Sequence, residues 1–163
     1  MKPFRIIGIG NSMAGDDALG SLVIKKMRTN APRNVGLIEA GLSGLGLLDL
    51  MDGAETVIFI DAAQSGKLPG TIHRLVIPDD IGLLIQSSWK LGTTSTHGFG
   101  LGEALTLSHS LGSLPQSTVV YGIEWEQMEI GTPVSSNVNA MLDPLIAAIE
   151  KDVEAYICTN SNS

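Results

Sequence analysis

The chain has 163 residues, 44% of them hydrophobic, and a formal net charge of -7. That length and apolar content suit a single domain over residues 1–163, and the acidity with scattered Lys and Arg argues against nucleic acid as a partner. Apolar runs such as 57–60 and 119–123 fall far short of the roughly 18–20 residues of a membrane span, no signal-peptide core precedes Gly8, and the lone Cys158 can close no internal disulfide, so a cytoplasmic protein without membrane insertion is expected.

In chain order, Phe4 to Ile9 is an apolar run that reads as a strand and ends in Gly8-Ile-Gly-Asn11. Residues 16–27 then carry Leu19, Leu22, Val23 and Met27 at helical spacing. Asp16 and Asp17 fall at the start of that helix, where capping of free backbone N–H groups alone would account for them. Residues 35–40 are a second strand, 41–46 a glycine turn, and 45–51 a short helix through Leu47, Leu48 and Met51. The β-branched and aromatic run 56–60 has the character of a strand buried on both faces, and it ends at Asp61. Residues 71–77 alternate as a strand closed by Pro78. A long connection follows over 81–96, with a helical turn around 83–87, then a helix over 98–111 and a last core strand over 118–123. Helical spacing from Val138 to Val153 predicts a closing helix over 135–156 despite Pro144, and 158–163 reads as a frayed tail.

Strands alternating with helices predict an α/β three-layer sandwich: a mainly parallel, twisted five-stranded sheet with helices on both faces. In such sheets the ligand crevice lies beyond the carboxyl ends of the strands, where strand order reverses. Asp17 follows the first strand, Asp61 ends the third and His97 opens the helix after the fourth, so all three are expected at that edge. Two carboxylates and an imidazole make a partial shell for nickel, zinc or iron with open positions left over. Each residue also has a plain structural reading, as a cap, a strand-end turn residue and a surface histidine. His73, within a strand, and His109, within a helix, are placed away from the edge.

Two other chemistries fit less well. A dinucleotide site would use Gly8, Gly10 and Glu39, but Gly15 lies five residues after Gly10 instead of three, and Asp16 and Asp17 put negative charge where a pyrophosphate would sit. A serine hydrolase could use Ser43 with His97 and Asp61, but position 45 is leucine where a nucleophile elbow needs glycine.

The motif Gly8-Ile-Gly-Asn11, four residues, then Asp16-Asp17-Ala-Leu-Gly20 resembles the opening signature of the nickel-iron hydrogenase maturation endopeptidases. Glu39-Ala-Gly-Leu-Ser-Gly44 is similar to that family's acid-Gly-Gly turn, Ile58-Phe-Ile-Asp61 to its strand-ending aspartate, Ser95-Thr-His97 to its histidine loop and Tyr121-Gly-Ile-Glu124 to its last strand. The sequence departs from the pattern at Ala18, Glu39 and Trp125, where glycine, aspartate and proline are common. The resemblance implies an endopeptidase that removes a short C-terminal extension from a nickel-iron hydrogenase large subunit precursor after nickel insertion. It also implies that Asp17, Asp61 and His97 contact the metal and form the catalytic site.

The metal could activate water as a Lewis acid, or it could be nickel carried by the substrate and recognised as a completion signal. The absence of a His-Glu-x-x-His helix favours substrate-borne nickel, and no organic cofactor is expected. A nickel carrier or precursor-binding module using the same ligands is the alternative. Glu39, Gly41 and Gly44 could line a peptide groove or merely shape turns. Ligation through His97 needs neutral imidazole, so function is expected to fall below about pH 6.5.

Overall fold

The sheet is built outward from its most apolar segment. In a computed structural model describing residues 3–41, 44–86, 90–91 and 99–160, β3 (Thr56–Gln64) is central. Its Val57, Ile58, Phe59 and Ile60 are at most 1% exposed, as expected for β-branched and aromatic side chains sandwiched on both faces. β1 (Phe4–Ile9) and β6 (Ser117–Glu124) pair parallel to it on either side. β2 (Val35–Gly41) extends the sheet parallel beyond β1, and β4 (Ile72–Ile77) closes the other edge antiparallel to β6, giving the order β2-β1-β3-β6-β4.

Each face is covered by helices whose apolar stripes match it. On one face α1 (Leu19–Met27) and α6 (Leu142–Asn160) set Leu19, Val23, Leu145 and Ile149 against Ile6, Ile58 and Ile60. On the other, α2 (Gly46–Met51) and α4 (Leu101–Ser110) pack Leu47, Met51, Leu101 and Leu105 against Ile7, Phe59 and Val120. The predicted α/β three-layer sandwich with a mainly parallel sheet is therefore the observed one. The glycines of the first turn serve this packing: a Cβ on Gly8 would stand 2.2 Å from the Gly20 carbonyl oxygen, so α1 lies directly on β1 only because both positions lack side chains.

Several local expectations are revised. The helix read over 135–156 is two helices, α5 (Ser136–Asn139) and α6, with Pro144 in the first turn of α6 where its missing N–H costs nothing. The long connection contains α3 (Ile81–Ile85) and a two-residue strand, β5 (Lys90–Leu91), antiparallel to the end of β3. Asp61 does not terminate its strand, because β3 runs on to Gln64; it is instead the first β3 residue beyond the pairing with β1, which stops at Gly8 opposite Ile60. Since β4 is antiparallel, its start lies at the carboxyl edge, and His73, opposite Gly122, sits there and not away from it. Within the 158–163 stretch, α6 continues through Cys158 to Asn160. Among the described residues no helix is long and apolar enough to cross a membrane.

Candidate active site

The chain leaves β1 toward β2 on one side and later returns to place β3 on the other. The order thus reverses between β1 and β3, which in an open α/β sheet sets the ligand crevice beyond their carboxyl ends. Asp17 lies on the turn after β1, and Asp61 on β3 just past its pairing with β1.

Both carboxylates are buried, at 1% and 2% exposure. Asp17 lies on a 3-10 turn (Gly15–Ala18) leading into α1, and its side chain caps neither element. Its Oδ2 accepts the Asn11 N–H at 2.8 Å, while its buried Oδ1 has no hydrogen-bond partner among the described residues. Asp61 Oδ1 accepts the N–H of Ala62 at 2.8 Å. Burial pushes the Asp17 carboxyl up, opposed by the Asn11 N–H. Burial pushes Asp61 well above the usual carboxylate range, and the neighbouring charge of Asp17 adds to the rise. Both are desolvated carboxyls, and the charge of Asp17 raises Asp61, so added positive charge nearby would stabilise their ionised forms. Carboxylate oxygens are a donor type that divalent cations accept.

His97 lies outside the described residues, as does Ser43. The residues flanking the His97 segment do reach this edge: Leu91 pairs with Ala63, two residues past Asp61, and the Phe99 carbonyl oxygen packs where a Cβ on Gly44 would be only 2.1 Å away. Among the described residues no group of three His, Cys, Asp or Glu could hold a metal, so Asp17 and Asp61 are the described part of the site.

Asp16, read from sequence as a cap, does something else. Its carboxylate accepts from the N–H groups of Glu126 at 2.7 Å, Gln127 at 3.0 Å and Ser135 at 2.7 Å, and from Ser135 Oγ at 2.9 Å. It latches the loop after β1 to the loop after β6 and so fixes the turn that aims Asp17. Its partners lie more than a hundred residues away, and no local pattern separates it from Asp17.

A second cluster was also missed. Glu124 Oε1 accepts from the Ser65 N–H at 2.8 Å, from Ser65 Oγ, and from His73 Nε2 at 3.0 Å. Serine and glutamate both meet the same ring nitrogen, with Ser65 Oγ 3.3 Å away, so this is a clasp on the β3–β4 loop and not a serine-protease relay, in which the acid must hold the other nitrogen. Glu39 accepts from Ser21 Oγ and Arg28, with Lys25 at 3.7 Å; the Ser21 bond first, and then Arg28 and Lys25, hold its carboxyl below the usual range against the effect of burial. Gly41 adopts φ +59 and its carbonyl accepts the Gly10 N–H at 2.9 Å. Where Trp125 replaces proline, its backbone N–H bonds to the Ala63 carbonyl at 3.2 Å, a bond proline could not make.

The fold and the acid pair at its reversal point define an α/β protein with two buried carboxyls at the carboxyl edge of its central strands. The profile of the hydrogenase maturation protease family (HycI) matches residues 22–152, and the chain belongs to that family of endopeptidases. The matched span includes Asp61 and His97 and starts after Asp17. Among curated relatives, the hydrogenase expression/formation protein HupD of Rhodobacter capsulatus is 29% identical over 160 residues, covering 95% of this chain and 74% of that one. HoxM of Azotobacter vinelandii is 27% identical over 144 residues, covering 86% and 67%. The hydrogenase maturating endopeptidase HybD from E. coli superposes with a TM-score of 0.79 at 23% identity, over 96% of this chain and 94% of that one, a likeness of fold.

Proposed function

We propose that this protein removes a C-terminal extension from the large subunit precursor of a nickel-iron hydrogenase once nickel has been inserted, and that Asp17, Asp61 and His97 together bind the nickel that the precursor carries. The family membership supports the proteolytic step, and the observation that carries the metal reading is the bare, buried Oδ1 of Asp17 beside the buried Asp61. Without a cation the two carboxylates oppose each other's ionisation; a nickel ion on the incoming precursor supplies the charge that stabilises both. The acid pair therefore favours loaded precursor over unloaded, since affinity depends on ligands from both partners. A bound nickel ion would also supply electrophilic polarisation to a neighbouring carbonyl. The chain's own contribution is to hold one oxygen of each carboxylate in place through the Asn11 and Ala62 amides.

The test is mass analysis of nickel-loaded precursor after incubation with wild type, Asp17→Asn, Asp61→Asn and His97→Ala. Wild type should release the extension, and each variant should lose on the order of a hundredfold or more in rate, as removal of groups acting on the transition state does. Shortening at the wild-type rate by all variants would remove these residues from the site.

A further inference from the structure

Among the described residues, seven large apolar side chains are exposed, and four of them, Met13, Leu45, Leu68 and Ile130, stand on the loops that leave the carboxyl ends of β1, β2, β3 and β6. All four thus belong to the carboxyl edge of the sheet. Met13 and Ile130 are 65% and 79% exposed, and their loops are joined at this point, since the Gly131 N–H donates to the Met13 carbonyl at 2.8 Å. The two loops are further joined by the Gly15 N–H to the Thr132 carbonyl at 3.2 Å, the Asp16 N–H to the Gln127 carbonyl at 2.8 Å, and the saturated Asp16 carboxylate. A pair of bare apolar side chains on so firmly tied a platform gains nothing for folding and is costly to keep wet.

The two loops that carry the pair bear charge of one sign, and the cation Lys67 lies on the separate loop after β3. Neither loop, 10–18 or 125–135, contains Lys or Arg, while Glu126 and Glu129 are exposed on the second. Lys25, Lys26 and Arg28 sit at the far end of α1. A partner seated here meets an apolar centre with an acidic border.

We propose that Met13 and Ile130, bordered by Glu126 and Glu129, dock the precursor protein itself through an apolar residue flanked by lysine or arginine, outside the segment that enters the crevice. This rests on the function proposed above and adds to it a recognition surface separate from the metal. Binding energy gathered there lowers KM and leaves the chemical step untouched, because it is the same before and during the cut.

The test measures KM and kcat on nickel-loaded precursor for the full-length protein, for Met13→Ser/Ile130→Ser and for Met13→Leu/Ile130→Leu, with thermal melts to verify folding. The serine pair should raise KM about tenfold with kcat within about twofold, and the leucine pair should stay near wild type. Glu126→Gln/Glu129→Gln should raise KM at low salt and flatten its dependence on ionic strength. An unchanged KM in the folded serine pair overturns the docking surface while leaving the proposed function intact. A wild type that elutes as a dimer, turning monomeric in the serine pair, overturns it in favour of a second copy. A wild type that cuts no precursor overturns the function and the docking surface together.

Discussion

Asp16 and Asp17 are adjacent and equally buried, each 1% exposed, yet the carboxylate of one is saturated while the other keeps a bare oxygen. The difference is tied to what each can lose. Asp16→Asn retains shape but loses acceptor capacity toward buried N–H groups, so chemical denaturation should reveal a loss of about 1–3 kcal/mol. Asp61→Asn removes a carboxyl whose ionisation is opposed by burial first and by the Asp17 charge second, and at neutral pH should raise stability by about 1 kcal/mol while slowing cutting about a hundredfold, the usual trade at a destabilised functional site. The sign of the pH dependence follows from the raised carboxyls of Asp17 and Asp61. The folded state holds protons that the unfolded state releases, so their stabilising contribution is full below the ordinary carboxylate pKa of about 4 and is lost as pH rises through the raised values. Melts compared across pH should therefore show wild type and Asp61→Asn alike near pH 4 and diverging toward neutrality in favour of the variant; a constant gap would contradict the raised carboxyls.

At the scale of elements, what repeats within a few residues was legible in the sequence and what depends on distant partners was not. β3 announced itself through an unbroken β-branched and aromatic run, and α1 through its 3.6-residue stripe. β5, at two residues, is too short to carry a period, and the antiparallel sense of β4 is set by its pairing with β6, which no feature of residues 72–77 encodes. Misplacing His73 followed directly from that. Asp17 and Asp61 were legible because both adjoin recognisable strands, whereas His97 falls outside the described residues. Arg5 illustrates a further layer that patterning misses. It is 2% exposed on β1, and its Nη1 donates to the carbonyls of Leu50 and Asp52 at 2.7 and 2.8 Å, satisfying the carboxyl end of α2. Arg5→Met would leave those carbonyls without their donor, and urea denaturation should find it destabilised by about 2–3 kcal/mol, with KM and kcat at low denaturant close to wild type because α2's far end is remote from the crevice.

Taken as a whole, the molecule separates its duties between the two edges of one sheet. The apolar strands and both helical layers give rigidity, and the carboxyl edge gathers the acid pair, the Asp16 latch and the exposed loops. That division predicts a signature of the complete complex: burial raises both carboxyls of the metal-free pair, so over the pH range in which they hold protons, binding of nickel-loaded precursor should release them, detectable as a dependence of the binding heat on buffer ionisation. Nickel-free precursor should bind without it. The most direct measurement of the central claim is the mass of the large subunit after the wild-type protein has been incubated with precursor loaded with nickel and, separately, with the same precursor stripped of it. The loaded form should lose its extension and the stripped form should keep it; equal shortening of both would contradict recognition of substrate-borne nickel by Asp17, Asp61 and His97.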